Sequence, residues 1–125
     1  MQYPAIVALV IEKGVDNITI PDSIRFQSLT EAGSLLLKEN KFEESAKAFA
    51  KANNIQEIIK TGDWLMQQVM YKEASHFYLF SNDKSKIEIC AHACMNTGSV
   101  NEAKNLFQIT NNQAMIQFLN ENFGV

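Results

Sequence analysis

Lys41-Phe-Glu-Glu-Ser-Ala-Lys-Ala-Phe-Ala-Lys-Ala-Asn-Asn54 decides how this chain is read. Phe42 and Phe49 stand at helical spacing on one apolar face with the small Ser45 between them, and Asn53-Asn54 closes the run with residues that accept a left-handed turn and cap the next helix. Twenty-nine residues later the pattern returns as Met70-Tyr-Lys-Glu-Ala-Ser-His-Phe-Tyr-Leu-Phe-Ser-Asn-Asp83, and again as Ser99-Val-Asn-Glu-Ala-Lys-Asn-Leu-Phe-Gln-Ile-Thr-Asn-Asn112. The register runs without insertion through three copies, residues 26–54, 55–83 and 84–112.

Each copy carries a second set of aligned columns ahead of this helix. Leu29, Ile58 and Ile87 form one, Leu36, Leu65 and Cys94 another, and Leu37, Met66 and Met95 a third. Gly33, Gly62 and Ala91 supply a small residue where two helices must approach closely. The break between the helices falls near Asn40, Val69 and Gly98. Glu44, Glu73 and Glu102 stand in the first turn of each second helix, where a carboxylate meets the positive end of the helix dipole.

Outside the copies, Tyr3 to Lys13 reads as a short helix ended by Gly14, followed by a loop to Pro21 with Asp22 or Ser23 as the next cap. Gln113 to Phe123 continues the register as one further first helix, with Ile116 in the Leu29 column and Phe123 in the Leu36 column. Residues 1–25 are thus an N-terminal helix and loop, and 113–125 a half-repeat. The expected fold is all-α, with eight helices. Hairpins at a fixed period cannot bury their faces alone, so the expected architecture is an α-α superhelix, a short solenoid of antiparallel helix pairs.

The spacing Gly62, Ala74, Tyr78, Ser81 resembles that of the tetratricopeptide repeat, although that family's usual period is 34 with a proline near the repeat end. In texture, residues 26–123 are similar to the helical-repeat regions of vesicle-coat and intraflagellar-transport subunits. The resemblance implies a protein–protein interaction scaffold or adaptor. Its alternative is a fragment or stand-alone relative of such a solenoid that self-assembles.

Composition narrows the functional classes. The 125 residues are 46% hydrophobic and 20% charged with net charge −3, ordinary for a folded domain. Arg25 is the only arginine, so the fork favoured for phosphate and base recognition is nearly absent, and nucleic acid is not the expected partner. Ala5 to Ile11 is too short to span a bilayer and has no signal-peptide frame, so no membrane insertion and a cytoplasmic location are expected.

No phosphate loop, His-Glu-x-x-His helix, nucleophile elbow or aligned Ser, His and Asp group occurs. The chain is read as a non-enzyme without cofactor. Cys90 and Cys94 share a helix face with His92 nearby, but they align with Ala32 and Thr61 and with Leu36 and Leu65, which makes them small buried thiols and not metal ligands.

Two binding faces are expected, for a protein or peptide partner or a second copy in a homodimer. The first is the inner first-helix face around Lys60, Asp63, Trp64 and Gln67, where Trp64 is either a binding anchor or a filler over Ala93. The second is a C-terminal patch of Met115 and Phe118. Phe118 aligns with Glu31 and Lys60, and Met115 with Ser28, Glu57 and Lys86, positions that a solvated face does not need to be apolar.

Overall fold

The computed structural model describes residues 1–125, and it is all-helical. Eight α-helices follow in order: α1 Pro4–Lys13, α2 Asp22–Lys38, α3 Phe42–Lys51, α4 Ile55–Gln67, α5 Tyr71–Tyr78, α6 Lys84–Asn96, α7 Val100–Ile109 and α8 Gln113–Phe123. A 3-10 turn at Val15–Asn17 interrupts the loop after α1. The chain divides into two compact units, Met1–Ile58 and Ile59–Val125, with the boundary inside α4.

The helix ends are set by a small number of backbone conformations. Asn40, Val69 and Gly98 have positive φ, as do Asn53, Asn82 and Asn111, so the chain turns left-handed in two series that each step by 29 residues. At the first series the amide just after the left-handed residue reaches back in a Schellman motif: Lys41 N to Leu36 O at 2.9 Å, Met70 N to Leu65 O at 2.9 Å and Ser99 N to Cys94 O at 2.8 Å. Each bond satisfies a carbonyl that the helix end leaves open. Val69 is the outlier, because a β-branched side chain at φ 62° crowds its own carbonyl.

Capping at the helix starts follows the same spacing. Asn54 Oδ1 accepts from Glu57 N, Asp83 Oδ1 from Lys86 N and Asn112 Oδ1 from Met115 N. The amides of Asn54 and Asn112 also donate, to Thr30 Oγ1 at 3.1 Å and Glu88 Oε1 at 2.9 Å. Asp83 has no donor, and the position matching Thr30 and Glu88 is Ile59. An apolar residue there is consistent with an acceptor-only cap. The cap expected at Asp22 or Ser23 is absent. Helix α2 starts at Asp22, which leaves the cap position to Pro21, whose side chain has no hydrogen-bond acceptor.

In Met1–Ile58, α1 packs on α2 and α2 on α3, while the 3-10 turn lies against α1 and α3. The core is Val7, Val10, Val15, Ile20, Leu29, Ala32, Leu36, Ala48 and Ala52. Each fully buried large aliphatic side chain here stabilises by about 1.5–3 kcal/mol relative to exposure. Glu31 pins the chain start by accepting the backbone amides of Gln2 and Tyr3. A Cβ on Gly33 would stand 2.6 Å from the Phe49 ring, and Ser45 Oγ donates to Gly33 O at 2.7 Å across the same crossing.

In Ile59–Val125, α5 packs on α6, α6 on α7 and α7 on α8. Leu65, Phe77, Tyr78, Ile87, Cys90, Cys94, Leu106, Phe107 and Leu119 are buried. Gly62 repeats the Gly33 arrangement, since a Cβ there would stand 2.8 Å from the Tyr78 ring. Phe123 departs from expectation. It shares the column of buried Leu36, Leu65 and Cys94, yet it is 50% exposed.

Candidate functional site

A groove of about 280 Å³ on Ile59–Val125 is lined by Asp63, Met66 and Gln67 of α4, Tyr78 of α5, and Lys86 and Ile89 of α6. Its polar centre is one carboxylate held from two sides. Tyr78 Oη donates to Asp63 Oδ1 at 2.6 Å, and Lys86 Nζ donates to both oxygens at 2.8 and 2.9 Å. Helical spacing puts Asp63 and Gln67 on one side of α4, one turn apart. Lys86 and Ile89 have the same relation on α6.

Burial acts to raise the Asp63 carboxyl, but the hydrogen bonds from Lys86 and Tyr78, together with the lysine charge, outweigh it and hold its pKa below the ordinary 3.8. Tyr78 is pushed well up from 10.0 by desolvation first and by its bond to the carboxylate second. Asp63 is therefore ionised and Tyr78 neutral at neutral pH. The groove offers a satisfied ion pair rather than a free charge, flanked by the apolar surfaces of Met66 and Ile89.

Of the four residues expected on the inner first-helix face, Asp63 and Gln67 line the groove, whereas Lys60 and Trp64 do not. Both are exposed on α4, Trp64 at 48%. Ala93, in the same column one repeat on, is partly buried.

Ile89, 59% exposed, was missed. The signal was available, since it shares the column of Glu31, Lys60 and Phe118 and is apolar like Phe118. Tyr78 had a weaker signal, a hydroxyl in a column otherwise filled by Phe49 and Phe107 that would need a partner once buried.

One register step further, the same positions hold different chemistry. His92 stands for Asp63, Phe107 for Tyr78, Met115 for Lys86 and Phe118 for Ile89. The His92 ring meets the Phe107 ring edge-on, with centroids 5.2 Å apart. On α8, Met115 is half-buried and Phe118 is 44% exposed, so the two residues of the expected C-terminal patch differ in accessibility. Phe118 pairs edge-on with Phe123 at 6.3 Å, which extends the exposed aromatic surface to the chain end.

Cys90 and Cys94 are free, fully buried thiols; Cys94 donates to Tyr71 O at 3.3 Å, which leaves Cys90 to donate to the Cys94 sulfur 4.0 Å away. The bond with Cys94 and burial push the Cys90 thiol up, away from the reactive thiolate. No His, Cys, Asp and Glu group is placed to hold a metal ion, and no helix is long and apolar enough to cross a membrane. No family model, curated protein or solved structure matches this chain.

Proposed function

We propose that the chain is a helical-repeat adaptor that binds a protein segment on the first-helix face of residues 59–125. The observation that carries this reading is apolar exposure on the helices that hold the satisfied Asp63–Lys86 pair: Trp64, next to Asp63 on α4, is 48% exposed, and Ile89, on the groove wall of α6, is 59% exposed. Large exposed apolar side chains next to fixed polar groups are what a peptide-binding face needs, because the apolar anchors supply affinity and the polar groups supply register.

The tetratricopeptide-like stacking of the hairpins belongs to this proposal. It is supported by the two left-handed series stepping by 29 residues and by the close glycine–aromatic approach at Gly33 and Gly62. The working location is the cytoplasm, with a protein or peptide as partner and no cofactor.

A second reading is favoured by the exposed Phe118–Phe123 pair. In it, the protein is a relative of coat or transport solenoids, and α8 is a surface on which another copy stacks. The two readings separate in one experiment. Wild type, Trp64→Ala with Ile89→Ser, and Met115→Ser with Phe118→Ser are each used for affinity capture and for mass determination by light scattering. The adaptor reading expects a defined partner lost with the Trp64/Ile89 variant and a monomer throughout. A concentration-dependent oligomer abolished only by the Met115/Phe118 variant, with no captured partner, would refute it in favour of self-association.

A further inference from the structure

The α1–α2 loop of Met1–Ile58 folds over a separate cavity of about 310 Å³, lined by Val15, Ile18, Thr19, Ile20, Arg25, Leu29 and Lys51. Its floor is apolar, with Val15, Ile20 and Leu29 all nearly inaccessible. The only charged residues on its wall are two cations, Arg25 from α2 and Lys51 from α3. Neither is what the hairpin pattern uses at its position. Arg25 falls in the column of the capping residues Asn54, Asp83 and Asn112, and Lys51 in the column of Phe80 and Ile109. Two departures from a pattern that needs neither charge converge on one cavity.

The present partners of these cations leave them available. Arg25 uses Nη2 alone, donating to Ile20 O at 3.3 Å and to the Asp22 carboxylate, out of five guanidinium donors. Lys51 Nζ donates to Val15 O at 3.1 Å and lies 3.6 Å from Asp16 Oδ1. The side chains of Asp22 and Asp16 are 88% and 65% exposed, so both pairs are solvent-screened and weak. A carboxylate seated against both cations would meet two positive charges at once, where Asp22 and Asp16 each meet one.

We propose that this cavity binds the carboxylate of a short apolar acid, held between Arg25 and Lys51 with its hydrocarbon against Ile18, the part-exposed apolar residue of the lining. The guanidinium fork matches a carboxylate in two parallel bonds, and the ammonium adds a point charge. The volume sits at the lower end for ligand pockets, which restricts the occupant to a small molecule or a single terminal residue. An inorganic phosphate would satisfy the cations but leave Ile18 uncovered.

The full-length chain titrated with hexanoate and followed by amide chemical shifts tests this. Acetate supplies the charge without the chain and 1-hexanol the chain without the charge. Hexanoate is expected to saturate shifts at residues 15–29 and 51 and to bind at least about tenfold more tightly than either control, the order of one charged hydrogen bond. Arg25→Gln should weaken hexanoate by about tenfold or more, and Arg25→Lys by less, because the charge survives without the fork.

Equal binding of hexanol and hexanoate, shifts centred outside the cavity, or unchanged affinity in Arg25→Gln would each overturn the proposal. If the Arg25 variants lose their helical circular dichroism, the wild-type comparison of the three ligands still decides it. A parallel titration with acetyl-Ala-Ala-Leu as free acid separates the two sources of such a group. Tighter binding than hexanoate names a peptide C-terminus, and weaker binding names a free acid, both at the same two cations.

Discussion

Residues 62–83 and 91–112 are the same structural passage written twice, and they differ at the positions that face the groove. In the first, Gly62 lets the Tyr78 ring sit against the α4 backbone, Asp63 takes the tyrosine hydroxyl, and Val69 makes the left-handed turn. In the second, Ala91, His92, Phe107 and Gly98 occupy those positions, and the ring contact is His92 on Phe107. The lesson is that the scaffold fixes only size and turn geometry, while the polarity of the face is free to change. A polar groove and an aromatic edge are built on one frame.

The comparison breaks most sharply at the glycine. Gly62→Ala would ordinarily favour a helix, but the new Cβ meets a ring that is 3% exposed and tethered through its hydroxyl. Overpacking of this kind should destabilise by about 2–3 kcal/mol in urea unfolding, even though Ala91 is accommodated one repeat later. A neutral Gly62→Ala would show that the Tyr78 ring moves freely and that the polar cluster does not fix it.

Next in size is Tyr78→Phe, which makes the first passage resemble the second. Losing the hydroxyl leaves Asp63 with Lys86 alone and should cost about 1–2 kcal/mol. In the same chain Asp63→Asn tests whether the two losses are coupled, since residues of one network give non-additive double mutants.

Val69→Asn works in the opposite direction. It relieves a β-branched residue at φ 62° that the matching Gly98 avoids, and it should stabilise by about 1 kcal/mol, seen as a rise of a few degrees in Tm. Val69 is 65% exposed, so little packing is lost in exchange.

The smallest effect is confined to acid. Because the folded pKa of Asp63 lies below its ordinary 3.8, its contribution is fully present above that pH and is lost as pH falls through the lowered folded value. Asp63→Asn should therefore flatten the acid limb of stability against pH below about 4, a difference read from urea midpoints at successive pH values. An unchanged limb would place the acid sensitivity elsewhere, for example at Glu31, whose carboxyl is also held low: burial raises it, but the amides of Tyr3 and Gln2 outweigh that.

Much of the helix layout was legible because capping and turn chemistry are local. Gly14, Asn40, Asn53 and Gly98 punctuate the chain where the helices end, and in the three copies the columns through Leu29 and Phe49 are buried as their spacing requires. The 3-10 turn at Val15–Asn17, which lies against α1 and α3, and the start of α2 at Asp22 with Pro21 in the cap position were not legible, since both depend on how the loop packs. At the groove, Asp63 and Gln67 could be found from one helix. Lys86 and Ile89 could not be joined to them, because their proximity depends on where α6 lies.

What the sequence by itself determined is the all-helical class, the positions of the breaks and which columns are apolar, all consequences of period and of residues that accept a left-handed turn. The tertiary structure alone decided that Asp63 is consumed by Tyr78 and Lys86, that Trp64 and Phe123 stay open, and that Arg25 and Lys51 face one cavity. These depend on distances between side chains far apart along the chain, which periodicity does not encode.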